Sequence, residues 1–215
     1  MCVRVKALFT AAAAALLLSA CARSGELDAT GGVSAVRSAC PIVGVPAGAG
    51  DVTLFDPPTS QASSAQDVTA SITNVRSTCD ESGEEIVTTV TFDVQARRVR
   101  ADAARAVTLP YFVALVRGGG AVAAKRVASV TLQFPAGQAR AEAKASVTTG
   151  VARSLATLPP EIRERLTRRR RAGEEDAAID PLSQPEVRQA VLAASFEALV
   201  GFQLNDAQLR YNATR

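Results

Sequence analysis

Apolar and polar side chains alternate through much of the chain from Cys40 onward. Over 85–94, Ile86, Thr88, Val90, Phe92 and Val94 fall on one side, with Glu85, Val87, Thr89, Thr91 and Asp93 on the other. A period of two is that of a half-buried strand. The same period recurs at 128–134, where Ala128, Val130, Leu132 and Phe134 interleave with Ser129, Thr131 and Gln133. At 141–148, Ala141, Ala143, Ala145 and Val147 alternate with Glu142, Lys144, Ser146 and Thr148, although so much alanine also permits a helix. Residues 106–116 are apolar on both faces, as a central strand is, and Pro110 within them demands a bulge or an unpaired position. Weaker strand patterns lie at 51–55 and 67–75. Turn signals separate these runs: Asp56-Pro57-Pro58, Glu81-Ser82-Gly83, Gly118-Gly119-Gly120 and Pro135-Ala136-Gly137. Short strands joined by short turns predict a mainly β chain, a single immunoglobulin-like antiparallel β-sandwich.

The C-terminal third interrupts the alternation. Residues 158–182 are highly charged, with Pro159-Pro160 as a helix start and Ile162 and Leu166 as a thin apolar stripe. Val187, Ala190, Val191 and Ala194 then recur at helical spacing, so 158–194 reads as a charged helical insertion. Alternation returns at 196–204 through Phe196, Ala198, Val200, Phe202 and Leu204. One long helix over 184–204 is the competing reading; Gly201 and the terminal alternation favour helix, then strand. A last short helix follows, capped by Asn205 or Asp206, with Leu209 packing back. The phenylalanines at 55, 92, 112, 134, 196 and 202 all fall in predicted strands and read as core anchors.

Composition narrows the chemistry. The chain has 215 residues and no histidine, which removes a Ser-His-Asp triad, a Cys-His pair and imidazole metal ligands. Its 24 basic and 21 acidic side chains nearly balance, and the charge does not call for nucleic acid. A fraction of 47% hydrophobic residues excludes a wholly disordered chain.

The first residues carry an address. Arg4 and Lys6 precede an apolar run from Ala7 to Leu18 that is too short to span a bilayer and has the layout of a signal peptide over 1–20. Its end, Leu18-Ser19-Ala20-Cys21, resembles the bacterial lipobox. That resemblance implies lipidation of Cys21, cleavage before it, and anchoring in the cell envelope. With Ala22 rather than Asp after the cysteine, analogy points to the outer membrane, facing the periplasm. The body is similar to small sandwich-type lipoproteins of proteobacteria, an architectural likeness that transfers no functional residue. Residues 21–39 then form a lipidated flexible tether with a reach of roughly 23 Å, and 40–215 the sandwich domain. Without Arg4 and Lys6, 22 of the 24 basic side chains remain against 21 acidic ones.

Processing also reduces the four cysteines. If Cys2 leaves with the leader and Cys21 is acylated, Cys40 and Cys79 remain, and an oxidising compartment favours a disulfide between them. Two free thiols, or a catalytic thiol, are the alternatives, the latter without its usual base.

No other motif names a reaction. Arg168, Arg169, Arg170 and Arg171 could meet anionic lipid headgroups; Glu174, Glu175 and Asp176 downstream could equally neutralise them on a solvated face. Asp80, Glu81, Glu84 and Glu85 surround a turn and match no calcium loop. Gly118-Gly119-Gly120 lacks the lysine of a phosphate loop, and Asn212-Ala213-Thr214 fits a glycosylation sequon. The expectation is a non-catalytic lipoprotein without metal or cofactor. Its partners are the membrane, through the anchor, and an unidentified envelope protein. A lipid-, glycan- or peptidoglycan-binding module is the alternative.

Overall fold

A computed structural model describes residues 38–168, 173 and 179–214. Among the described residues, eight strands form two four-stranded sheets. Sheet one has the order β1 (Ile42–Gly44), β8 (Phe196–Phe202), β5 (Arg105–Arg117), β6 (Ala121–Phe134). Sheet two has the order β2 (Asp51–Phe55), β3 (Gln66–Asp80), β4 (Glu85–Arg98), β7 (Arg140–Ala152). The fold is mainly β, as the alternation requires. It is not wholly antiparallel, because β1 runs parallel to β8, with Ile42 opposite Glu197. Three residues carry too little pattern to fix a direction.

The inward set of β4 is the one the alternation defines. Ile86, Thr88, Val90, Phe92 and Val94 are all buried, and Val90, Phe92 and Val94 share one core cluster with Leu109, Tyr111, Val130, Leu132, Phe134, Val200 and Phe202 from sheet one. Phe92 and Tyr111 meet edge to face at 5.1 Å, an arrangement that adds about 1 kcal/mol to the area they bury. Phe55 and Phe112 are only half-buried. A second cluster, Ile86, Leu115, Val151, Ala156 and Phe196, closes one end of the sandwich under Ala39 and Cys40.

Proline and glycine sit where the backbone needs them. Pro110 lies at the end of the β5–β8 ladder. Gln203 N–H donates to its carbonyl at 2.9 Å, and the reciprocal bond, for which proline has no N–H, would have been the last in the row. The bulge falls elsewhere, between Leu115 and Val116. A Cβ on Gly201 would stand 2.8 Å from the Ala49 Cβ and 3.0 Å from two Phe112 ring carbons, so only glycine lets the 46–49 turn lie against β8.

A short helix, α1 (Arg153–Ala156), precedes the charged insertion, whose described residues include two further helices, α2 (Pro160–Thr167) and α3 (Pro185–Ala193). Ile162 and Val187 are its buried residues in α2 and α3. Thus 184–204 is helix, then strand. In α4 (Asp206–Thr214), Asn205 Oδ1 accepts from Gln208 N–H and Gln208 Oε1 accepts from Asn205 N–H, both at 2.9 Å. This is a reciprocal capping box. Leu209 does not pack back: it is 46% exposed. Tyr211 holds the helix instead, edge-on to Phe55 at 5.1 Å, while Asn212 Nδ2 donates to Gly48 O and Asp51 O, both at 2.8 Å. The amide of the sequon is thereby engaged in packing.

At the far end from the insertion a single arginine organises the loops. Arg98 continues the inward set of β4 past Ala96 and is only 2% exposed. Its Nε donates to Gln138 O at 2.9 Å and its Nη1 to Ala103 O at 2.6 Å. Its Nη2 donates to Ala101 O at 3.0 Å and to Pro135 O at 2.8 Å. The guanidinium carbon stands 5.1 Å from the Phe134 ring centre. Four carbonyls and a ring face replace the water this cation gives up.

Candidate functional site

The cysteines that sequence reasoning paired are joined. Cys40 and Cys79 form a disulfide with their Cα atoms 6.1 Å apart. It ties the segment before β1 to the end of β3. Cys21 and the lipobox lie outside the described residues, as do Arg169, Arg170, Arg171, Glu174, Glu175 and Asp176. Arg168 is exposed at the end of α2, where its backbone N–H donates to Glu164 O at 2.8 Å.

The acidic β3–β4 turn is explained by local bonds. The Ser82 hydroxyl and the Ser82 N–H, the latter at 2.9 Å, hold the Asp80 carboxyl below the usual aspartate range, and the Arg153 charge adds to this. Arg153 Nε donates to Gly83 O at 2.6 Å, fastening the turn to α1. Among the described residues no group of three or more Cys, Asp or Glu is placed to hold a metal ion, and no helix is long and apolar enough to cross a membrane. Gly118 and Gly119 adopt positive φ in the β5–β6 turn, the conformation that demands glycine there.

The feature that sequence reasoning missed is the edge of sheet one. On β6 every residue from 121 to 129 is exposed, on both faces of the strand. Val122 is 63% and Val127 58% exposed, among alanines at 121, 123, 124 and 128. Among the described residues, nothing pairs with the outer edge of β6. Sheet two ends at β7, whose outward residues Arg140, Glu142, Lys144, Ser146 and Thr148 are all exposed and polar. Lys144 Nζ there donates to Asp93 at 3.0 Å. One edge exposes charge and hydroxyls throughout 140–148; the other exposes valine and alanine around two cations. The inward alternation of 128–134 could be read from sequence, but not that residues 121–129 of the same strand stay exposed on both faces.

Two cations stand in this apolar edge. Lys125 turns to the outer face, its Nζ 4.7 Å from the Phe112 ring centre. Arg126 turns inward and lines a seam with Val113, Leu115, Ala124 and Val147. Neither makes an ion pair among the described residues. The seam holds about 10 Å³, room for about one water molecule, so its chemistry is that of a surface. No family profile, curated protein or solved structure matches the chain.

Proposed function

We propose that this chain is a non-catalytic, lipid-anchored envelope protein with an immunoglobulin-like sandwich, acting as an adaptor or accessory subunit of a periplasmic or outer-membrane assembly. The observation that carries the adaptor reading is the half of β6 left open on both faces, whereas β7 exposes only polar residues from 140 to 148. Contiguous exposed apolar surface marks interaction sites on soluble domains, and an unpaired edge strand can add another backbone to its sheet. The leader supports the anchor, and the Cys40–Cys79 staple suits an oxidising compartment.

Photo-crosslinking in intact envelopes tests the adaptor reading. A crosslinker replacing Val127 on β6 should give a stoichiometric protein adduct, and the same group at Lys144 on β7 should not. Labelling that is equal at the two positions, or that captures only lipid or glycan from Val127, refutes it and favours a module for those ligands. The anchor is tested separately: palmitate labelling should vanish in Cys21→Ser, and labelling that persists removes lipidation at that residue.

A further inference from the structure

We propose that β6 takes up an extended acidic segment of a partner protein, which adds to sheet one as a fifth strand beside residues 121–129. This rests on the adaptor reading above and specifies the partner's chemistry. The backbone geometry fixes where the new bonds form. The Pro110 carbonyl points towards β8, because it accepts from Gln203 N–H. Within a strand, the N–H and C=O of one residue point to the same side. Ser129, paired with Pro110, therefore turns its own N–H and C=O away from β5, to the free edge. Val127 and Lys125 do the same by the period of two. Three consecutive sites on the open edge thus each present one donor and one acceptor to an incoming strand.

Charge selects what that strand carries. Lys125 projects to the outer face and Arg126 to the inner, and 121–129 contains no acid. Adjacent residues of a strand point to opposite faces, so two consecutive carboxylates in a partner would meet one cation on each face. Small or β-branched residues on either side would cover the flanking alanines and valines. A second copy of this chain is disfavoured, since β6 against β6 would gather four cations in one short ladder. The same cations guard the edge against a second copy, and, set on opposite faces among exposed valines, they leave it complementary to an acidic strand.

The probe is a fluorescent nine-residue peptide of alternating threonine and valine with two central glutamates, beside a twin carrying two lysines. Anisotropy with the oxidised protein purified from envelopes should show binding of the glutamate peptide alone, weakening as salt rises. In Lys125→Glu/Arg126→Glu, whose unchanged thermal unfolding certifies the fold, that binding should fall by about tenfold and the lysine peptide should bind instead. Equal binding of the twins, a preference untouched by the reversal, or a dimer in sedimentation that Val127→Lys abolishes would overturn the proposal. The two readings separate through the Val127 crosslink. A protein adduct that survives the double reversal leaves the adaptor and removes the acidic strand; loss of every protein adduct, in both the original and the reversed chain, removes both.

Discussion

Replacing Arg98 by methionine keeps most of the buried stem and deletes the guanidinium. Four hydrogen bonds then disappear, to the carbonyls of Gln138, Ala103, Ala101 and Pro135, together with the contact on Phe134. Bonds from a charged donor are worth more than the ~1 kcal/mol net of a neutral pair. Against them stands the hydration that the cation recovers when it no longer has to be buried. The carbonyl-bearing loops are themselves largely exposed, so water can take over part of what the arginine leaves. The balance is a loss of about 3 kcal/mol, or a fall in Tm of about 6–12 °C for a chain of this size. Arg98→Lys should recover only part of this, because an ammonium cannot spread its donors as a planar fork does. Denaturant unfolding of the oxidised protein gives the difference, provided the m-value is unchanged. Hydrogen exchange should accelerate at Gly137, whose N–H donates to the Ala101 carbonyl that Arg98 also holds. A methionine variant within about 0.5 kcal/mol of the parent, the scatter of ordinary surface substitutions, would refute the assignment of Arg98 as the tie between these loops.

Gly201→Ala should cost about 1–3 kcal/mol through overpacking against Ala49 and Phe112, read as a lower denaturation midpoint; an unchanged midpoint would mean that the 46–49 turn yields freely. Reduction of Cys40–Cys79, which spans 39 residues, should lower stability by about 4 kcal/mol in the chain-entropy picture. Mass spectrometry without reductant should recover the linked peptides, and free thiols at both positions would contradict the staple. Asp93 is held below the ordinary aspartate range by its hydrogen bonds from Asn74 and then from Lys144. Its contribution is therefore complete above the unfolded value of about 3.9 and lost as pH falls through the lower folded one. The stability gap between parent and Asp93→Asn should accordingly close in acid, and a gap constant down to pH 2 would exclude the charge as its source.

Much of the sandwich is legible along the chain because each strand buries one face. The sets beginning at Ile86 and Phe196 are buried as the period of two places them, and Asn205 caps α4 because its amide suits the first turn of a helix. What escapes notice depends on the far side of each element. Arg98 has the parity of an inward residue, two places beyond Ala96, but a charged side chain reads as surface until the four carbonyls around it are known. Leu209 reads as the apolar contact of α4, yet Tyr211 and Asn212 reach β2 and its neighbouring turn first. The openness of β6 depends on which strand forms the edge of sheet one, a matter of tertiary arrangement that local periodicity does not carry.

The position of the disulfide has a mechanical consequence. A pull applied to the chain before Cys40 passes through the sulfurs directly to Cys79. The intervening segment, which contains β1, β2 and nearly all of β3, forms a closed loop that carries no tension. Load then enters at the end of β3 and must be borne by the sheets from β4 onward. Stretched end to end, the reduced chain should release about 130 Å more length than the oxidised one, from the 39 residues freed at about 3.4 Å each.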